Sequence, residues 1–271
     1  MQGVQSGSDT DNIARIARSF VEARRTGAAL PDYPGTMPAA LDDAYAVQDA
    51  AIALADGKIA GWKVGRINPP LDGIDRLAGP IFAATVATAN GAMLAMPVFR
   101  DGFAAAEAEF LLRIGTASDP GKADWSRADA RALVDRVAIG IEIASSPLRT
   151  INELGPLVTV SDFGNNNGLL VGPELEGWRD RDLDSIPVGF NLNGVEITQA
   201  TSVTMLDGPW GAVRFLAEFL ARRGQALRPG QWISTGAVTG VHRVAIGDRV
   251  AATFGDSQSV SCVIVSQRDR I

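Results

Sequence analysis

Two glutamates, Glu107 and Glu109, stand two residues apart in the run AAAEAEFLLRI, residues 104–114, among mostly apolar or small neighbours. On an extended strand that spacing puts both carboxylates on one face. A third acid, Glu142, lies in RVAIGIEIASS, a second run that reads as a buried strand, with Ile139, Ile141 and Ile143 directed to the opposite face. Carboxylates that converge in apolar surroundings repel one another, and their pKa values rise unless a hard cation neutralises them. Ligation by oxygen alone suits Mg²⁺, Mn²⁺ or Ca²⁺ rather than a structural zinc. A solvated strand edge also accepts Glu at i, i+2, so the spacing leaves both readings open.

A lysine accompanies them. Lys63 sits inside Gly61-Trp62-Lys63-Val64-Gly65, an apolar strand pattern with glycine at either end. Its ammonium either snorkels past the strand edge or lies in a pocket. Buried near a metal it would have a lowered pKa, suited to acid–base work or to holding an anionic substrate. Asp162 and the run Gly164-Asn165-Asn166-Asn167-Gly168 read as a turn whose asparagines tolerate positive φ. The loop Ser234–Gly240, rich in hydroxyls and glycine, either binds a carboxylate through backbone N–H groups or simply connects two elements. The single histidine, His242, comes late in the chain, and no G-x-S-x-G elbow exists to pair with it. Cys262, the single cysteine, lies in an alternating run and reads as a small buried strand residue.

Composition narrows the class. The 271 residues carry a net charge of −6, which argues against a general nucleic-acid binder. One cysteine excludes an internal disulfide and any cysteine-based cluster. No run approaches the ~18 apolar residues of a membrane span, and the polar start MQGVQSGSDTDN lacks a signal pattern, so a cytoplasmic protein is expected.

The elements that must position these residues follow from periodicity. Residues 1–9 are expected to be disordered. Thr10 or Asp11 is expected to cap a helix with the apolar face Ile13, Ile16, Ala17, Phe20 and Val21, stopped by Gly27. A second helix is expected over 39–56. Together they form a helical segment, 1–57, ahead of a strand-rich domain, 58–271. In that domain IAGWKVG, GPIFAATV, AMLAM, AEAEFLLRI and RVAIGIEIA read as strands. A helix is expected over 126–135 with Ser126 as its cap. Asn193-Gly194 signals a hairpin. Asp207–Gly224 reads as a helix with Pro209 in its first turn. WISTG, DRVAATFG and SVSCVIV return to strands, giving an α+β chain without βαβ alternation.

Taken in order, GWKVG, AEAEFLLRI, AIGIEIASS, SDFGNNNGLLVG and LDGPWGAVRFLAEFLARRGQALRPGQWISTGAVTG resemble the fumarylacetoacetate hydrolase superfamily, in the branch of 2-keto-4-pentenoate hydratase and 4-oxalocrotonate decarboxylase. The likeness implies a mixed β-sheet roll or barrel behind a helical preface, usually in homo-oligomers. It implies that Glu107, Glu109 and Glu142 bind Mg²⁺ or Mn²⁺. Lys63, and less centrally Asp162, would then serve catalysis, with Asn166, Thr235 and Gly236 touching a small 2-oxo acid. The implied activity is hydration of a 2-hydroxy-dienoate or 2-oxo-enoate in aromatic catabolism, with decarboxylation of an oxalocrotonate-type acid second. Carbon–carbon hydrolases of the superfamily use an early His-Glu pair that this chain lacks. Ser145, Pro147 and Ala237 depart from the family pattern on the substrate side, which keeps open a silent, oxo-acid-binding partner subunit.

Overall fold

The computed structural model describes residues 5–270. Helix α1 (Gln5–Thr26) begins earlier than Thr10 or Asp11, so 5–9 are helical rather than disordered, and 1–4 lie outside the described residues. Ile16, Ala17 and Phe20 form its buried stripe. Gly27, at φ +68°, ends it in the left-handed conformation that glycine adopts without strain. Helix α2 (Leu41–Ala55) follows, its start held by the Asp43 carboxylate, which accepts from the Ala40 amide at 3.2 Å.

Among the described residues thirteen strands form two open mixed sheets. The first is built from β1 (Ile59–Leu71), β2 (Ile74–Phe82), β3 (Val86–Thr88), β5 (Phe103–Ile114), β6 (Val134–Ser146), β7 (Asn166–Glu174), β10 (Trp232–Ser234) and β11 (His242–Arg243). Its order is β2-β1-β10-β5-β6-β7-β3, with β11 also on β5. The second uses β4 (Leu94–Val98), β8 (Val188–Leu192), β9 (Val195–Ala200), β12 (Arg249–Phe254) and β13 (Gln258–Ser266), in the order β4-β13-β12-β8-β9. Neither sheet closes on itself, so the architecture is a roll and not a barrel. Asn193 (φ 54°) and Gly194 (φ 84°) turn β8 into β9, the doubly positive φ of the hairpin turn their sequence signals.

Three helices complete the chain. Helix α3 (Arg127–Ala132) carries the expected Ser126 cap, reciprocated by Asp129, but stops short because β6 begins at Val134. Helix α4 (Pro156–Ser161, PLVTVS) is too short and too β-branched to read as a helix from sequence. Helix α5 (Gly208–Arg222) lays Val213, Leu216, Ala217 and Leu220 into the main core.

The first sheet is covered twice. One face meets the second sheet, where Phe110 packs edge-on against Phe254 at 5.2 Å and Ile139, Ile141 and Ile143 join Val260 and Ile264. On the other face Ile16 and Phe20 of α1 and Val47 of α2 close over Phe103, Ala105 and Ala144. Strands β5 and β6 are therefore buried on both faces along nearly their whole length. That double cover removes the solvated-edge reading of Glu107 and Glu109. Among the described residues no helix is long and apolar enough to cross a membrane.

Candidate active site

Register alone brings the acids together. In the antiparallel pair β5–β6, Glu107 lies directly across from Glu142, and Glu109 sits opposite Gly140 two residues along the same face. One carboxylate oxygen from each of the three lies within 4.8 Å of the others. Glu109 and Glu142 are fully buried, and Glu107 is 6 % exposed where it reaches a cavity.

The neighbours fix each carboxylate. β5 pairs with β10 over residues 111–113 and with β11 over 105–106, so the edge between them is free for loop 235–241. That loop donates Val238 N–H to the Ala108 carbonyl at 3.0 Å and Gly236 N–H to Glu109 Oε2 at 3.1 Å. The Ser234 hydroxyl donates to the same oxygen. Asn166 Nδ2 donates to Glu142 Oε1 at 2.8 Å. Two oxygens, Glu109 Oε1 and Glu142 Oε2, are buried without a hydrogen bond.

Lys63 approaches from β1, with Nζ 3.5 Å from Glu142 Oε2. Gly79, its cross-strand partner, makes room for the turn at 163–164, since a Cβ there would stand 2.2 Å from the Phe163 carbonyl oxygen. Burial works against the lysine's charge, but Glu142, Glu107 and Glu109 prevail and hold its pKa up at about 12. The three acids thus outweigh burial at Lys63, whereas the lowered pKa expected beside a metal applies to a triad whose charge a cation has offset. Burial first, then the charge of Glu142, pushes Glu107 up to about 7. Burial, then Glu142 and Glu107, raise Glu109 well above its usual range.

Three carboxylates against one ammonium leave an excess of negative charge in a dry site. Glu109 Oε1 has no hydrogen-bond partner, Glu142 Oε2 meets only the Lys63 ammonium at 3.5 Å, and every ligand atom on offer is an oxygen. Such a set fits a divalent cation, with Glu107, Glu109 and Glu142 as the residues that would hold it.

A cavity of 890 Å³ opens beside Lys63 and Glu107, lined also by Arg66, Asn165, Met205 and Thr235. Thr235 lies on its wall with the hydroxyl donating to the Phe110 carbonyl at 2.9 Å. Gly236 lines it too, but its N–H serves Glu109 rather than a ligand. Asn166 is not on the wall and orients Glu142 from behind. Asp162 is likewise absent from the cavity: it is fully buried and clamped by Arg24, whose Nη2 lies 2.9 Å from Oδ2, and by the Ser146 hydroxyl at 2.6 Å. The reason is the reach of α1, which carries Arg24 across to the root of the asparagine run. His242 stacks on Phe190 at 4.0 Å, away from the triad, and burial holds its pKa below the usual value. Cys262 is buried, which pushes its thiol up to about 12.

Asn165 is a polar residue of the cavity wall that the sequence does not single out. It adopts φ 66°, is buried, and leaves Oδ1 without a partner. The run Asn165-Asn166-Asn167 announces such a turn, but three identical side chains do not say which one lines the cavity. Arg24 gives no local signal, because its partner lies 138 residues away. Ser145, one of the departures from the family pattern, is spent on the backbone: its hydroxyl accepts from Phe99 N–H and donates to the Phe103 carbonyl.

No family model matches the chain. Among curated proteins, 4-oxalocrotonate decarboxylase of Pseudomonas putida is 28% identical over 137 residues, 51% of this chain and 52% of that protein. The chain thus spans about half the length of that relative. A 2-keto-4-pentenoate hydratase of Burkholderia vietnamiensis is 26% identical over 239 residues, 85% of this chain and 89% of the hydratase. Among solved structures, 4-oxalocrotonate decarboxylase from Pseudomonas putida G7, complexed with magnesium and adipate, superposes with a TM-score of 0.77 at 21% identity, covering 94% of this chain and 98% of the other. Fumarylpyruvate hydrolase from Pseudomonas aeruginosa, in complex with Mn²⁺ and pyruvate, gives 0.57 at 17% identity, covering 76% and 88%.

Proposed function

We propose that this chain, whose fold is that of the fumarylacetoacetate hydrolase superfamily and whose homologues are 2-keto-4-pentenoate hydratases and 4-oxalocrotonate decarboxylases, is a divalent-metal-dependent hydratase of a 2-hydroxy-dienoate or 2-oxo-enoate acid. The observation that carries the reading is the buried triad Glu107, Glu109 and Glu142, with two oxygens that make no hydrogen bond, at the floor of a cavity walled by Lys63. Mg²⁺ or Mn²⁺ held there supplies Lewis-acid polarisation of the 2-oxo acid end of the substrate.

The chain's own residues do the rest. Asn166, Ser234 and the Gly236 amide lock the carboxylates in place, so they need not reorganise during the reaction. Lys63, on the cavity wall beside the triad, brings an ammonium to face the negative charge that builds on the substrate oxygen as the dienol rearranges. Asn165 offers Oδ1 to the hydrogen of an incoming water or of a substrate hydroxyl. Thr235 and Met205 shape the wall beside it.

Decarboxylation is the second reading, favoured by the superposition on the decarboxylase over nearly the whole chain. One experiment separates the two. Consumption of 2-hydroxypenta-2,4-dienoate is followed beside CO₂ release from 4-oxalocrotonate, with Mg²⁺ or Mn²⁺ and in the Glu109→Gln variant. Metal-dependent hydration that Glu109→Gln abolishes supports the hydratase. CO₂ release without hydration supports the decarboxylase, and activity on neither rejects both. The same reading makes the protein a cytoplasmic homo-oligomer, its assembly measurable by sedimentation.

A further inference from the structure

A second cleft, of 390 Å³, shares no lining residue with the cavity over the triad. Arg100, Arg149 and Arg243 line it, and the acid beside them is Asp101. All four side chains are exposed. Among the described residues none of the three guanidiniums makes a hydrogen bond or an ion pair. The Cζ of Arg243 lies 4.3 Å from the centre of the Phe103 ring. In a chain of net charge −6 this sets them apart from Arg24, Arg76, Arg113 and Arg214, each of which holds a carboxylate.

The backbone beneath these side chains is fixed. Arg100 and Asp101 ride on the turn from β4 to β5, closed by Gly102 N–H donating to the Phe99 carbonyl at 3.2 Å. The Ser145 hydroxyl accepts from Phe99 N–H at 3.0 Å and ties that turn to β6. Gly102 lies so close to β6 that a Cβ there would stand 2.0 Å from the Ser146 carbonyl oxygen. Arg149 follows Leu148, whose N–H donates to the Ser146 hydroxyl at 3.0 Å. Arg243 is the β11 partner of Ala105, and beyond it the Asp248 carboxylate accepts from Ala245 N–H at 2.7 Å. Three segments distant in sequence are thus anchored around one concavity.

Three positive charges against one negative leave two in excess. Like charges that share a cleft repel one another, and its walls focus their field on an incoming anion. Arginine forks match the oxygens of phosphate and carboxylate groups in bidentate pairs. The 390 Å³ lies within the ~300–1,000 Å³ range of small-molecule pockets, and Val98, Val244 and Ile246 give apolar wall to an organic part. We propose that this cleft binds a small organic dianion, a phosphate monoester or a dicarboxylate. The site stands whatever acid the cavity over the triad takes.

Calorimetric titration of the full chain tests the assignment, with glycerol 3-phosphate, succinate and uncharged glycerol as probes. One or both dianions are expected to bind and glycerol is not. The tighter of the two identifies the head group. Arg149→Ala should weaken that binding about tenfold or more, and Asp101→Asn should strengthen it. Both side chains are exposed and unpaired among the described residues, so the ligand-free melting temperature should not move. Binding of neither dianion overturns the assignment. Binding that Arg149→Ala leaves unaltered overturns it as well, and loss of that binding in Glu109→Gln would then place the ligand over the triad.

Discussion

Lys63 Nζ lies 3.5 Å from Glu142 Oε2, and both side chains are withdrawn from solvent. That lysine is the triad's nearest cation. Lys63→Met therefore strands three acids in a dry site. Removing one partner of a buried pair costs about 3–5 kcal/mol. Urea unfolding in the presence of a chelator should show a loss of this order at pH 8 and a smaller one at pH 6, where the acids can bind protons instead. Equal stability of wild type and variant at both values would sink the argument.

The wild-type protein should itself respond to pH when metal-free. Glu107 titrates near 4.5 when unfolded and at about 7 in the fold. A raised pKa means that the folded state binds the proton more tightly. Its stability contribution is full below 4.5 and is lost as pH rises through 7. At about 1.4 kcal/mol per pKa unit, the decline from pH 5 to pH 8 is on the order of 3 kcal/mol. Lys63, held at about 12, contributes a constant amount across that window. Mg²⁺ competes with protons for the same oxygens, so its thermal stabilisation should be larger at pH 8 than at pH 6. Asn166→Ala should weaken it about 10–100-fold in apparent affinity.

Arg24→Met is expected to act at a distance from its own helix. Asp162 is fully buried and would keep only the Ser146 hydroxyl as a side-chain partner. The expected cost is about 3 kcal/mol by chemical denaturation, accompanied by reduced activity, since Arg24 also holds the Asn166 carbonyl at 3.0 Å. Asp162→Asn, which keeps the shape and removes the charge, should retain more activity if Asp162 is a strut. Complete loss in Asp162→Asn alone would return it to a direct role in the chemistry.

Gly79→Ala tests the contact that seats the turn. Its Cβ would meet Phe163 and Gly164 backbone atoms at 2.2–3.0 Å, which no side-chain rotation relieves. A loss of about 3 kcal/mol is expected from such overpacking. Because the turn carries Asn165, turnover should fall further than the melting temperature alone would account for. Unaltered turnover would separate Asn165 from catalysis.

Much of this was legible in the residues. Alternation in AAAEAEFLLRI and RVAIGIEIASS marked two strands and put Glu107 and Glu109 on one face, because the period of a strand is two whatever covers it; that Glu142 joins them follows from the β5–β6 register. Asn193-Gly194, Ser126 and Gly27 marked a turn, a cap and a stop through local chemistry. What stayed hidden depends on partners distant in sequence. The pKa of Lys63 is set by three acids on other strands and so could not be read from Trp62 and Val64. The Asp162–Arg24 clamp spans 138 residues. Asn166 lies off the cavity wall and Asn165 on it because β7 begins at Asn166 and draws that side chain under Glu142.

The double cover of β5 and β6 also sets a clock. Amides in strands buried on both faces meet solvent deuterons only when the whole chain opens, whereas those of the exposed residues Asn68, Gly240 and Val241 exchange through small local openings. Hydrogen exchange should therefore divide the site in two. The half that bears Glu107 and Glu142 is renewed on the timescale of global unfolding, and the half that forms the outer cavity wall breathes far faster.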